Sequence, residues 1–201
     1  LHALNHSWFK SLLFLGAGAV LHATGTRKMS RLGGLWQRMP WTAGFFGLGA
    51  VAICGLPPLN GFVSEWLVYC GLFDASRLKS DAALGAVPAA ILLGVTGALA
   101  LACFIKVCGV VFLGAPRSKS AAGAHECAPG MRGAMALLAA GCVIIGLAPA
   151  FFWPALSRVA GAWFRTDALL QTPNHLEPLG RAHLILAILA VTDKWVPNKS
   201  R

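Results

Sequence analysis

Charge is what this 201-residue chain has least of: 12% of its residues are charged, and seven are acidic. A soluble globular domain carries about 25% charged residues, so a polar shell around one aqueous-facing core is excluded. There is no glycine-rich phosphate loop and no nucleophile elbow, which removes the usual marks of a soluble enzyme. His125-Glu126-Cys127 is a lone tripeptide in a basic connection, too short to read as a metal site. Nor does a C-x-x-C pair occur among the six cysteines. Cys54, Cys70, Cys103, Cys108 and Cys142 fall in apolar runs and read better as small buried hydrophobes than as disulfides or as zinc or Fe–S ligands. No metal and no cofactor is expected. The chain also lacks an initiator Met, which suggests the interior of a longer gene product.

What is present is apolar surface. Hydrophobic residues make up 57% of the chain and the mean hydropathy is +0.67, which excludes disorder, collagen and coiled coil. Crossing about 30 Å of hydrocarbon takes about 20 largely apolar residues in a helix. Four runs qualify: Leu1 to Ala23, Trp41 to Phe73, Ala82 to Gly114 with Pro88 in its first turns, and Met131 to Leu156. Ala182 to Val191 is a half-length run, either interfacial or a span padded by its flanks. A secretory signal fits the first run badly, because Lys10 interrupts it and no basic region precedes it. These runs predict an all-α, polytopic transmembrane helix bundle.

The net charge of +10 would suggest a nucleic-acid partner in a soluble protein. Its distribution says otherwise. Connections 24–40 and 115–132 and the tail 193–201 hold ten Lys and Arg against two acids, eight of the ten net charges, while connections 74–81 and 157–181 are nearly neutral. Rich and poor segments alternate, as the positive-inside rule requires of a multi-pass protein. The excess therefore reports orientation, with the rich segments cytoplasmic, the bilayer as partner and no nucleic acid.

Ionisable residues inside the runs carry the functional argument, since a charge near the bilayer centre costs about 2.5–3.5 kcal/mol or more. His2, His6 and Lys10 recur at i, i+4 and i+8, turning only about 80° while rising about 12 Å on a helix. Such a row can accept and release protons near neutral pH; helix–helix hydrogen bonding is the alternative use of the same groups. Lys106 lies eight residues before Gly114 and reads either as a snorkelling side chain or as the exit of a buried aqueous path. His22, at the end of its run, reads as interfacial.

The second run, at 33 residues about 50 Å long as one helix, is too long for a single crossing. Pro57 and Pro58 break it, releasing the carbonyls of Ile53 and Cys54, and Asn60 and Gly61 are expected to form a non-helical link. One discontinuous span of two half-helices follows. Unwound backbone at membrane depth persists only against protein or a water-filled cavity, and transporters place ion sites at such breaks. Glu65 is expected in the first turn of the second half-helix, where the helix dipole and burial push its protonation in opposite directions. A Glu capping its own helix is the other reading.

Two strings go further. His2-Ala-Leu-Asn-His6-Ser-Trp-Phe-Lys10 with Arg31-Leu-Gly-Gly-Leu35 resembles the antiporter-like membrane subunits shared by complex I (NADH dehydrogenase), Mrp-type cation/proton antiporters and energy-converting hydrogenases. Gly55-Leu-Pro-Pro-Leu-Asn-Gly-Phe-Val-Ser-Glu65-Trp with Phe104-Ile-Lys106-Val-Cys-Gly is similar in particular to the hydrogenase-4 component B and formate hydrogenlyase subunit 3 type. The resemblance covers residues 1–116, with a helical tail at 117–201. It implies two inverted five-helix repeats, of which this chain holds part of the second, and a hydrated mid-membrane row of Lys, His and Glu. By position it implies Lys10 as the axial lysine, His2 and His6 as relay partners and Glu65 as the terminal residue. It further implies proton translocation by a non-redox subunit in the cell inner membrane, inactive by itself. Its partners would be other membrane subunits and, through them, a peripheral hydrogenase arm. A cation/proton antiporter subunit and an inactive or structural subunit are the rival readings.

Overall fold

The computed structural model describes residues 1–78, 81–164 and 176–192, and every regular element among them is helical. Helix α1 spans His2–Thr24, α2 Pro40–Ile53, α3 Asn60–Ser76 and α4 Asp81–Phe112. A single turn, α5 (Lys119–Ala122), is followed by α6 (Pro129–Leu147), α7 (Pro149–Phe164) and α8 (Leu176–Thr192). By length and apolarity alone, α4 and α6 qualify as membrane spans. The polar row lowers the apolarity of α1 below that test.

Helix α1 is the centre, packing along α2 and α6 and, at its start, on α3; α3 and α4 form a hairpin. Lipid tails are as apolar as leucine, so helix association in a bilayer rests on close van der Waals packing rather than on the hydrophobic effect. The sequence supplies small residues where it is needed. Gly16 receives the Phe46 ring, Gly49 receives Leu13, and Gly141 receives the Trp8 indole. On α6, Met135, Ala139, Cys142 and Gly146 form one buried helical stripe.

Three features differ from the sequence expectation. The run from Met131 to Leu156 is not one helix, because Pro149 drives Ala148 out of the helical region (φ −130°, ψ 57°) and divides it into α6 and α7. Pro88 sits two turns from the start of α4, within its first turns as expected. The half-length run 182–191 belongs to the longer α8 of 17 residues, about 25 Å. Asn60 and Gly61 are not a link but the first residues of α3.

The two basic connections lie together at one end of the bundle. Arg117 donates to the carbonyls of Leu32 (3.2 Å) and Val110 (3.1 Å), Ser118 Oγ donates to Arg31 O (2.7 Å), and Gly34 N donates to Leu113 O (2.9 Å). The basic tail 193–201 lies outside the described residues. Glu126, from the weak tripeptide, has a structural role here. The N-cap residue of α2 is Met39, which supplies no side-chain acceptor. Glu126 fills that place from another connection, accepting from Trp41 N (2.9 Å), Thr42 N (3.4 Å) and Thr42 Oγ1. Burial by itself would raise the Glu126 pKa, but these donors and Cys127 N outweigh it and hold the carboxyl below its usual value. A Glu126→Ala variant is expected to lose about 1 kcal/mol of stability, read as a lower melting temperature in detergent. Because the folded-state pKa is depressed, that contribution is complete above the ordinary carboxyl range and is lost as pH falls through the lowered value. The two melting temperatures should therefore converge in acid.

Candidate functional site

The break between α2 and α3 is a compact turn. Gly55 adopts a left-handed conformation (φ 63°), which a residue with a Cβ resists, and its N–H bonds Ala52 O at 3.1 Å while Leu56 N bonds Val51 O at 3.2 Å. The Pro57–Pro58 bond is cis. Helix α3 then starts so close to α2 that a Cβ on Gly61 would overlap the Ala52 carbonyl. Gly61 is thus a close-packing glycine, not a flexible one. On the other side Gly146 of α6 lies against Pro58 O and the Leu59 backbone. Protein therefore covers the Cys54 and Leu59 side of the unwound segment, while Leu56 and Pro57 stay exposed.

Two buried asparagines hold α1 to this turn. Asn5 Nδ2 donates to Asn60 O at 2.7 Å and Asn60 Nδ2 donates back to Asn5 O at 3.5 Å, with both residues fully buried. Their side-chain oxygens, Asn5 Oδ1 and Asn60 Oδ1, have no partner among the described residues. Sequence reading missed Asn5 and gave Asn60 a different task. The available signal was its place inside the polar row's own helix turn, between His2 and His6.

The row itself stands at the edge of the packed face of α1, one residue round from Asn5, Phe9 and Leu12. Lys10 is half-buried, with Nζ 6.0 Å from the Phe14 ring centroid; His6 and His2 are exposed. The His2 and His6 ring centroids are 6.0 Å apart, too far for a direct nitrogen-to-nitrogen hydrogen bond. A bridging water would be needed to link the two rings. His2 reaches the second half-helix directly, its Nδ1 lying 3.0 Å from Ser64 Oγ. Ser64 has one hydroxyl proton, which it can give to Gly61 O (3.0 Å) while His2 donates to it, or turn toward His2. That arrangement can hand a proton across the α1–α3 contact.

Glu65 follows Ser64, half-buried, with its carboxylate over Gly55; a Cβ there would collide with it. It lies in the second turn of α3, not the first, so the dipole argument for its anionic form loses force, since that field fades within one turn. Its partner is the break, not its own helix end. Lys106 is exposed on α4 and does not join the row. Its turn packs on α2, the Phe104 and Phe46 ring centroids lying 6.4 Å apart. Pro57, Pro58, Asn60 and Gly61 thus all sit at one junction of α1, α2, α3 and α6.

Residues 1–103 match the family model described as NADH:quinone oxidoreductase/Mrp antiporter, TM. The chain belongs to this family. It is 47% identical over 166 residues to hydrogenase-4 component B of Escherichia coli (strain K12), covering 82% of this chain and 25% of that protein. It is 46% identical over 158 residues to formate hydrogenlyase subunit 3 of the same organism, covering 78% and 26%. The chain therefore spans about a quarter of the length of these curated relatives, and the similarity runs past residue 116. Among solved structures, the Mrp complex from Dietzia sp. DQ12-45-1b superposes with a TM-score of 0.61 over 74% of this chain and 34% of that one, at 21% identity. The family member is thus a membrane-embedded helical subunit, as its helices alone suggest. Asn5→Leu removes the Asn5 Nδ2 bond to Asn60 O and should cost about 0.5–1.5 kcal/mol, read as a reduced yield of folded protein in detergent.

Proposed function

We propose that this chain forms part of the second antiporter-like repeat of a proton-translocating membrane subunit in a hydrogenase-4 or formate hydrogenlyase-type complex. The observation that carries this is the His2–Ser64 hydrogen bond, which joins the Lys10, His6, His2 row of α1 to the half-helix bearing Glu65. Protons enter the row at Lys10, move through water to His6 and His2, cross at Ser64 and reach Glu65 over the break. Lys106 serves as the exit group on α4. Residues 1–116 supply the relay, and 117–201 supply supporting helices. The basic connections 24–40 and 115–132 lie on the cytoplasmic side of the inner membrane. Other membrane subunits flank the bundle, and a peripheral hydrogenase arm drives it. Moving one proton against 100 mV costs about 2.3 kcal/mol, so such coupling is required.

Cation/proton antiport is the second reading. It is favoured by the unpaired Asn5 Oδ1 and Asn60 Oδ1 beside Glu65's half-helix, since hard cations take oxygen ligands. Proteoliposomes of the complete complex whose proton movement requires sodium would support that reading over the first.

For the first reading, Lys10→Ala and Glu65→Gln are introduced into the intact complex and protons moved per redox turnover are measured. Each variant should lose about tenfold or more in proton movement while the complex still assembles. Unchanged proton movement in both would remove the relay and leave a structural subunit.

A further inference from the structure

Helix α8 brings one more titratable group to the helix break. His183 is 2% exposed, and its Nδ1 lies 2.9 Å from Gly146 O. A carbonyl can only accept, so Nδ1 carries the proton, and in the neutral ring Nε2 is left with a bare lone pair. That Nε2 is buried and has no hydrogen-bond partner among the described residues. Gly146 is the residue on which Pro58 O and Leu59 rest, so the imidazole is hydrogen-bonded to the backbone that walls the break. Its ring also packs against Phe62 at 5.3 Å between centroids, one helical turn before Glu65 on α3. A buried, unpaired acceptor is costly, and a purely structural contact would be served as well by a side chain that donates to Gly146 O and has nothing left over.

We propose that His183 is a further protonatable station at the helix break, taking and releasing a proton at Nε2 while Nδ1–H stays on Gly146 O. The proposal rests on the relay reading above. In the forward step a hydronium of the relay breaks one O–H bond as the Nε2–H bond forms, leaving neutral water and an imidazolium; in the return step Nε2 gives that proton to a second water, which becomes hydronium. No electrons move, and Gly146 holds the ring in one orientation throughout. Among the titratable groups, Glu65 is on α3, Cys142 on α6, Arg158 on α7 and Arg181 on α8, and none of them hydrogen-bonds to Nε2. His183 therefore has an acceptor site not committed to any of them.

The test uses the intact membrane complex with His183→Asn, His183→Gln and Glu65→Gln, measuring assembly, redox turnover and protons moved per turnover. Asn places an amide N–H where Nδ1–H was, so the Gly146 bond survives while the titrating nitrogen is lost. The Asn variant, or the Gln variant if only that one assembles, should assemble normally and lose about tenfold or more in protons per turnover. Normal proton movement in an assembled His183 variant, with loss in Glu65→Gln, would reduce His183 to packing and leave the relay standing. Normal movement in Glu65→Gln would instead overturn the relay reading itself. Failure of both His183 variants to assemble would show a structural role and also overturn the proposal.

Discussion

Backbone amides and carbonyls have no water to turn to in a bilayer, and each one left unpaired costs several kcal/mol. That requirement governs the junction at residues 54–61. Two prolines interrupt the helix there, and the surrounding parts of the bundle are arranged to contain the result: a left-handed Gly55, two turn hydrogen bonds back to Val51 and Ala52, and Asn5 reaching over from α1 to the Asn60 carbonyl. The glycines at 61 and 146 let α3 and α6 close to backbone contact. Remove the enclosure and the break would have to be solvated by lipid, which cannot do it.

The same enclosure makes chemistry possible. A helix running unbroken would satisfy its own carbonyls and offer side chains only. Here the unwound turn draws together polar groups from α1, α2, α3 and α8 that no single helix could assemble. Ser64, Glu65, His2 and the asparagine oxygens sit within a few turns of one another because the break needs polar partners. The functional groups are then adjacent to the groups that stabilise it. Under the proposed relay, the groups that hold the fold and the groups that would carry protons occupy neighbouring positions, which makes variants at Asn5 and Asn60 different in kind from those at Lys10 and Glu65.

At the basic end the physics is ordinary. Arg117, Ser118 and Glu126 satisfy loop carbonyls and helix amides across connections far apart in sequence. Charge there ties 25–39 to 113–128 and completes the start of α2. Glu126 shows that an acid in a positive-rich loop need not be an orientation signal at all; it completes a helix terminus that lacks its own cap.

The sequence by itself determined the helical class, the membrane setting, the position of the break and the polar row of His2, His6 and Lys10, because run length, proline and i, i+4 spacing act locally. Tertiary structure alone decided the rest. Asn60 and Gly61 became helix rather than link, and Glu65 moved from a helix terminus to a place over Gly55. Asn5, Glu126 and His183 gained their roles only from partners 55, 85 and 37 residues away. Spacing along one helix says which side chains share its face; it carries no information about which carbonyl of another helix will lie opposite them.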